Sequence, residues 1–212
     1  MSIYWENTIN DHPRLSSCTE QVNGAFERLL ECVRTGKKVL TCGNGGSAAD
    51  SEHIVGELMK GFTLQRPLDA ALRGELKAAF GDDGLWMADH LQQAIPAISL
   101  VSQTALMTAF LNDVDPAMLF AQQVLGYGKP GDCLIALSTS GNSANVINAV
   151  RIARVLGVKT IGMTGEGGGK LKEECDVCIC APAKETARVQ EYHQIIYHHL
   201  CERLEVAVFG ED

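Results

Sequence analysis

The strongest constraint on the fold of this chain is a short run of glycines. Residues 42–47 read Cys-Gly-Asn-Gly-Gly-Ser, between the apolar run Lys38-Val39-Leu40 and a helix-like stretch from Ala48 to Lys60. A glycine-rich turn that ends a strand and opens a helix lets the backbone approach a ligand closely. The helix start adds unpaired N–H groups and the positive end of its dipole, which suits an anion. A second turn, Ser138-Thr139-Ser140-Gly141-Asn142-Ser143, follows the apolar run from Asp132 to Leu137. Two such turns, rich in glycine and hydroxyls, point to a sugar phosphate held at the strand ends of a parallel sheet.

The remainder of the chain continues the alternation of strand and helix. Leu15, Val22, Phe26, Leu29, Leu30 and Val33 recur at helical spacing and predict a helix over 15–36, with Gly36 as its stop. Strands are predicted at Lys38–Cys42, Ile95–Val101, Cys133–Leu137, Lys159–Met163 and Asp176–Ala181. Helices are predicted over 47–60, over 102–125 with breaks near Asn112-Asp113 and Asp115-Pro116, over Ser143–Leu156, and over 185–208. Gly165-Glu166-Gly167-Gly168-Gly169 reads as a mobile turn. Strands that alternate with helices imply a parallel sheet covered on both faces. Residues 64–94 fit this alternation less well. Leu72, Leu76, Phe80, Leu85, Trp86, Met87 and Leu91 are broken there by Gly81-Asp82-Asp83-Gly84, which reads as a helical excursion, either a lid or part of a subunit interface.

The 212 residues fit one domain with a substantial core. A net charge of −8 argues against non-specific nucleic-acid binding, and no apolar run approaches a membrane span. The first residues lack a basic segment followed by an apolar one, so a cytoplasmic protein is expected. Eight cysteines then read as reduced, buried thiols. Cys175, Cys178 and Cys180 resemble a metal knuckle, but Cys178 and Cys180 share one face of a short strand and no second pair completes a zinc site.

His53 and Glu57 lie four apart on the helix after the first turn and share a face. Gln190, Gln194 and His198 are spaced by fours on the last helix. If those faces meet, the site holds a carboxylate, two imidazoles and an amide, which can move protons or bind a divalent ion such as zinc. The alternative is a solvated His–Glu pair and an exposed or buried imidazole of no chemical role; His90, His193 and His199 are read as structural or surface groups. Ser143 is a good helix cap, yet three hydroxyls and a glycine in six residues exceed what capping requires. No P-loop motif is present, and the first turn lacks the third glycine of a dinucleotide fingerprint.

These residues together resemble sedoheptulose-7-phosphate isomerase, the phosphoheptose isomerase family of the sugar isomerase (SIS) domain fold. The resemblance is carried by Cys42 to Ser47, His53, Glu57, Ser138 to Ser143, Arg188-Val189-Gln190-Glu191 and His198. It covers nearly the whole chain except residues 64–94. It implies a three-layer α/β/α sandwich around a five-stranded parallel sheet, with a helical N-terminus and a long C-terminal helix. It implies a single SIS domain over 1–212 with a helical insertion at about 64–94, and a homotetramer with active sites between subunits. It assigns substrate and phosphate binding to Asn44, Gly45, Gly46, Ser47, Asn112, Asp113, Ser138, Thr139, Ser140, Ser143, Glu57 and Gln190. It assigns acid–base catalysis to Glu57 and His198, and a Zn2+ ion, one per subunit, to His53, Glu57, Gln190 and His198. The implied reaction converts a ketose phosphate, best matched by sedoheptulose 7-phosphate, to the aldose through an enediol.

Two departures stand out. Segment 64–94 is longer than the corresponding connection in heptose isomerases, and Ala187 stands where many members carry an aspartate. Three alternatives follow: an SIS enzyme for a pentose, hexose or amino-sugar phosphate; a non-catalytic SIS protein that binds a bacterial replication initiator; and a sugar-phosphate sensor. Glu57 and His198 favour an enzyme over the second. The lack of an attached DNA-binding segment and the negative charge oppose the third.

Overall fold

In the computed structural model, which describes residues 3–210, five parallel strands form one sheet in the order β2-β1-β3-β4-β5. The strands are β1 (Val39–Cys42), β2 (Ala97–Ser99), β3 (Cys133–Leu137), β4 (Lys159–Thr164) and β5 (Val177–Cys180). The helices are α1 (Ile3–Asp11), α2 (Thr19–Arg34), α3 (Gly46–Met59), α4 (Ala70–His90), α5 (Thr104–Asp113), α6 (Leu119–Tyr127), α7 (Ala144–Val155), α8 (Leu171–Glu174) and α9 (Thr186–Phe209). This is the α/β/α sandwich expected from the sequence, long C-terminal helix included.

Strand alternation feeds two cores at once. On β3, Cys133, Ile135 and Leu137 join one apolar cluster while Leu134 and Ala136 join the other. Successive side chains of a strand point to opposite faces, so a strand buried on both sides must be apolar throughout. The first cluster lies under α2, α3 and α9, through Val22, Phe26, Ile54, Leu58, Ile196 and Leu200. The second lies under α6 and α7, through Phe120, Val124, Val146 and Val150. Helices α3 and α7 therefore leave adjacent strands β1 and β3 toward opposite faces. A crevice opens between the two turns at that reversal of strand order.

Element boundaries move for identifiable reasons. The helix predicted from residue 15 starts at Thr19, because Pro13–Cys18 forms a 3-10 turn. There the Ser16 and Ser17 hydroxyls donate to the carbonyls of Pro13 and Arg14, a local bond that competes with an α-helix. The helix ends in a Schellman turn, where Lys37 N donates to Cys32 O and Gly36 N to Val33 O. Strand β2 is shorter than predicted. Ile95 N bonds the Leu58 carbonyl at the end of α3 instead of a strand, and Pro96 has no N–H to offer. Segment 64–94 carries α4, which bends at Gly81 (φ 58°, ψ −127°), a conformation side chains disfavour. The Asp69 carboxylate caps it on Leu72 N, and Arg73 pairs with Asp89 across the bend. The turn at 165–169, predicted to be mobile, is tied to the serine loop. Gly165 N donates to Thr139 O, Leu171 N to Gly141 O, and Lys170 N to Asn142 Oδ1.

One buried ion pair ties α9 to the end of α3. Arg66 and Glu205 each have side chains with no exposed surface, and their Nε–Oε1 separation is 2.6 Å. Glu205 also accepts from Phe62 N, Thr63 N, Thr63 Oγ1 and Leu64 N. Arg66 also donates from Nη1 to the Leu58 carbonyl and from Nη2 to that of Glu57. Burial pushes the Glu205 carboxyl up, but these donors outweigh it and hold the group down at about 2.

Removing one partner strands the other charge. Glu205→Gln or Arg66→Met should cost about 3–5 kcal/mol of unfolding free energy, measured by urea titration; a loss under about 1 kcal/mol would overturn this role. Because the folded-state pKa is depressed, the contribution is present above the unfolded value of about 4.3 and is lost as pH falls toward 2. The stability gap between wild type and Glu205→Gln should therefore narrow on acidification, and a constant gap would contradict the assignment.

Candidate active site

The two glycine-rich turns meet at the crevice. Gly45 (φ 58°) opens α3, and Ala48 N donates to its carbonyl. Asn44 and Asn145 exchange two side-chain hydrogen bonds of 2.9 Å, which bridge the first turn to the start of α7. Ser138 and Ser143 hydroxyls lie 3.0 Å apart. Ser143 occupies the cap position of α7 without a side-chain capping bond, so capping does not account for its hydroxyl. Ser140 Oγ accepts from Asn142 N. Thr139 is half-buried and Ser140 exposed at the mouth. Ser47 is buried at the start of α3, and its carbonyl accepts from Ser51 Oγ.

The closing helix reaches this turn. A Cβ at Gly46 would collide with the Gln190 amide, so a larger residue there would displace that side chain. Two turns further along α9, His198 meets the pair on α3. His53 Nε2 lies 3.0 Å from Glu57 Oε1 and 3.3 Å from His198 Nε2. The ligand atoms of His53, Glu57 and His198 all lie within 4.8 Å of one another. The His53 side chain is 40% exposed and that of Glu57 13%, so the carboxylate is sheltered while the imidazole faces the opening. Burial, and then the neighbouring His53, lower the His198 imidazole below its ordinary range, against the pull of Glu57. At neutral pH His198 is thus an uncharged ring that can accept or pass a proton.

Two imidazoles and a carboxylate converging on one point are a normal donor set for zinc. Among the described residues no other group of three His, Cys, Asp or Glu side chains converges in this way. The eight cysteines are free thiols, and the Cys175–Cys180 run forms no three-ligand cluster. Cys178 and Cys180 share a face of β5 with their sulfurs 4.0 Å apart, as the alternation predicts. Burial lowers His193 and His199 to about 4, and His199 packs on Trp5, which matches their reading as structural groups. His90 is exposed and bonds the Trp86 carbonyl.

Asn112 and Asp113 are not brought to this cluster. They bond each other at the exposed end of α5, a helix with no buried residue. Gln194 and Ala187 are exposed on α9. Four neighbours of the site went unread in the sequence. Asn145 pairs with Asn44; Lys60 Nζ lies 3.4 Å from Glu57 Oε2. Tyr197 Oη lies 2.9 Å from His53 Nδ1 and 3.3 Å from Asp50 Oδ1. Lys60, three residues from Glu57, had a detectable helical spacing; the other contacts join segments with no shared periodicity.

The chain matches the SIS domain family over residues 97–197 and a second SIS domain profile over residues 11–82. It is 40% identical to a phosphoheptose isomerase of Roseiflexus sp. (strain RS-1), over 87% of this chain and 81% of that protein. It is 35% identical to the phosphoheptose isomerase of Akkermansia muciniphila, over 99% of this chain and all of that one (100%). The solved phosphoheptose isomerase of Neisseria gonorrhoeae superposes with a TM-score of 0.72 at 32% identity, covering 94% of each chain. With the turns, the sheet order and these similarities in place, the chain belongs to the phosphoheptose isomerase family of SIS-domain proteins.

Proposed function

We propose that this protein is an aldose–ketose isomerase that converts sedoheptulose 7-phosphate to D-glycero-D-manno-heptose 7-phosphate. The observation that carries the reading is the meeting of Glu57 and His198, 141 positions apart in sequence, beside two anion-suited turns. The turns at 44–47 and 138–143 hold the phosphate, and binding energy from that remote group positions the reacting carbons. Glu57 takes a proton from C1 of the ketose and returns it to C2. His198, held neutral, accepts the proton of O1 and delivers it to O2, so the enediol collapses to the aldose. His53, Glu57, Gln190 and His198 would hold a zinc ion. When bound, such an ion polarises the carbonyl and stabilises negative charge on the enediol oxygens.

A homotetramer with sites between subunits fits the surface. Phe80 and Trp86 on α4 and Leu111 and Val114 beside or on α5 are large apolar groups more than half exposed, the kind of patch that marks an interface. The partner's copy of α5 would then bring Asn112 and Asp113 to a site they do not reach within one chain. No helix among the described residues is long and apolar enough to cross a membrane.

Glu57→Gln should lower turnover by about 10²-fold or more while sugar-phosphate binding persists, because general base catalysis contributes about 10²–10⁴-fold. Full turnover in that variant would refute the proposed base. A panel of ketose phosphates, assayed with and without a chelator, should show the heptulose phosphate preferred and activity lost on chelation. Preference for a pentose or hexose phosphate would assign the enzyme to another branch of the fold.

A further inference from the structure

The Tyr197 hydroxyl lies between an acceptor-only group and an imidazole. Its oxygen is 3.3 Å from Asp50 Oδ1 and 2.9 Å from His53 Nδ1. A phenol has one proton to give. The second oxygen of Asp50, Oδ2, is buried and has no hydrogen-bond partner, so the phenol is the donor this carboxylate has in the structure. If the phenol gave its proton to His53, the Asp50 carboxylate and the phenol oxygen would face each other with no proton between them. A sheltered carboxylate without a donor is expensive. The proton therefore goes to Asp50, and the phenol oxygen accepts from His53 Nδ1–H.

We infer that Asp50 and Tyr197 are positioning residues that fix His53 in its Nδ1–H form and aim the bare Nε2 at Glu57 and His198. The consequence is electronic. With Nδ1 carrying the proton, Nε2 presents a lone pair 3.0 Å from a carboxylate oxygen and 3.3 Å from the His198 nitrogen. Two acceptors, His53 Nε2 and the Glu57 carboxylate, then face each other at 3.0 Å, an arrangement that a cation or a shared proton relieves. The opposite tautomer would place an N–H there and satisfy Glu57 directly, so a metal would have to displace that proton. Tyr197 also packs edge-on against both rings, with centroids 5.4 Å from His53 and 4.9 Å from His198, so its ring position and its hydroxyl act on the same pair. It is buried with its neighbours Ile196 and His199, so α9 has little freedom to withdraw it.

This inference deepens the reading of the cluster as a zinc site, and its first test does not depend on that reading. Ring nitrogen-15 spectra of the full chain, free of metal and at pH well above the usual imidazole range, report the tautomer of each histidine. Wild type should show His53 protonated at Nδ1. Tyr197→Phe, which removes only the hydroxyl, should shift His53 toward the Nε2–H form. Asp50→Ala should do the same with the phenol still present, because the freed phenol proton turns to Nδ1. An Nε2–H wild type, or spectra unchanged in both variants, would overturn the proposal. Titration with zinc against a chromophoric chelator is the second readout. Loss of an outer hydrogen bond to a ligating histidine costs about 10–100-fold in metal affinity, so Tyr197→Phe should weaken zinc binding by that factor. Equal affinity in wild type and variant would count against the proposal. Failure of wild type to take up zinc would sink the metal reading instead, and the spectra would still decide the tautomer.

Discussion

An ion pair with no access to water ties α9 to the end of α3, the two helices that carry the candidate site. Glu205 on α9 and Arg66 in the segment after α3 meet at 2.6 Å, and both also bond backbone groups at or just after the end of α3. A buried ion pair of this kind contributes little net stability compared with an apolar substitute, but it is intolerant of misalignment. Glu57 supplies one of the carbonyls that Arg66 grips. His198 stands two helical turns before Glu205 on the same helix. At the other end of α9, Gln190 rests on Gly46. The helix is thus held against α3 on both sides of the His53–Glu57–His198 cluster, which sets the distance between a carboxylate and an imidazole contributed by distant parts of the chain.

The sheet supplies the other half of the geometry. Because β1 and β3 are neighbours and their helices depart to opposite layers, both anion-suited turns open into one crevice. The same side-chain alternation that makes β3 apolar on both faces places its last residues at that crevice. Packing and the place of the crevice are therefore set by one feature, the reversal of strand order. Helix α4 stands apart from this economy, with Phe80 and Trp86 left in the open.

Much of this was legible in the sequence because it is written in local patterns. Glycines mark the turns, apolar runs mark the strands, and four-residue spacing places His53 with Glu57 and Gln190 with His198. The resemblance to heptose isomerases joined those faces before any coordinates did. What escaped was of a different kind. Arg66 looks like an ordinary surface arginine near a proline, and Glu205 like one more polar position on an amphipathic helix. Their partnership spans 139 positions and leaves no periodic trace. Asn145 and Tyr197 escaped for the same reason. The early start predicted for α2 failed where Pro13, Ser16 and Ser17 offered the backbone a tighter local alternative. Asn112 and Asp113 were recognised by motif, but a single chain does not carry them to the cluster.

The paired amides of Asn44 and Asn145 carry a mechanical consequence for the crevice. Each spends one N–H and one lone pair on its twin, and Asn145 Oδ1 also accepts from Val146 N. A carboxamide has two N–H donors, so each side chain keeps one beyond the pair while its plane is held. The first turn and the start of α7 are clamped in register, and a polar guest would meet donors whose direction is already set.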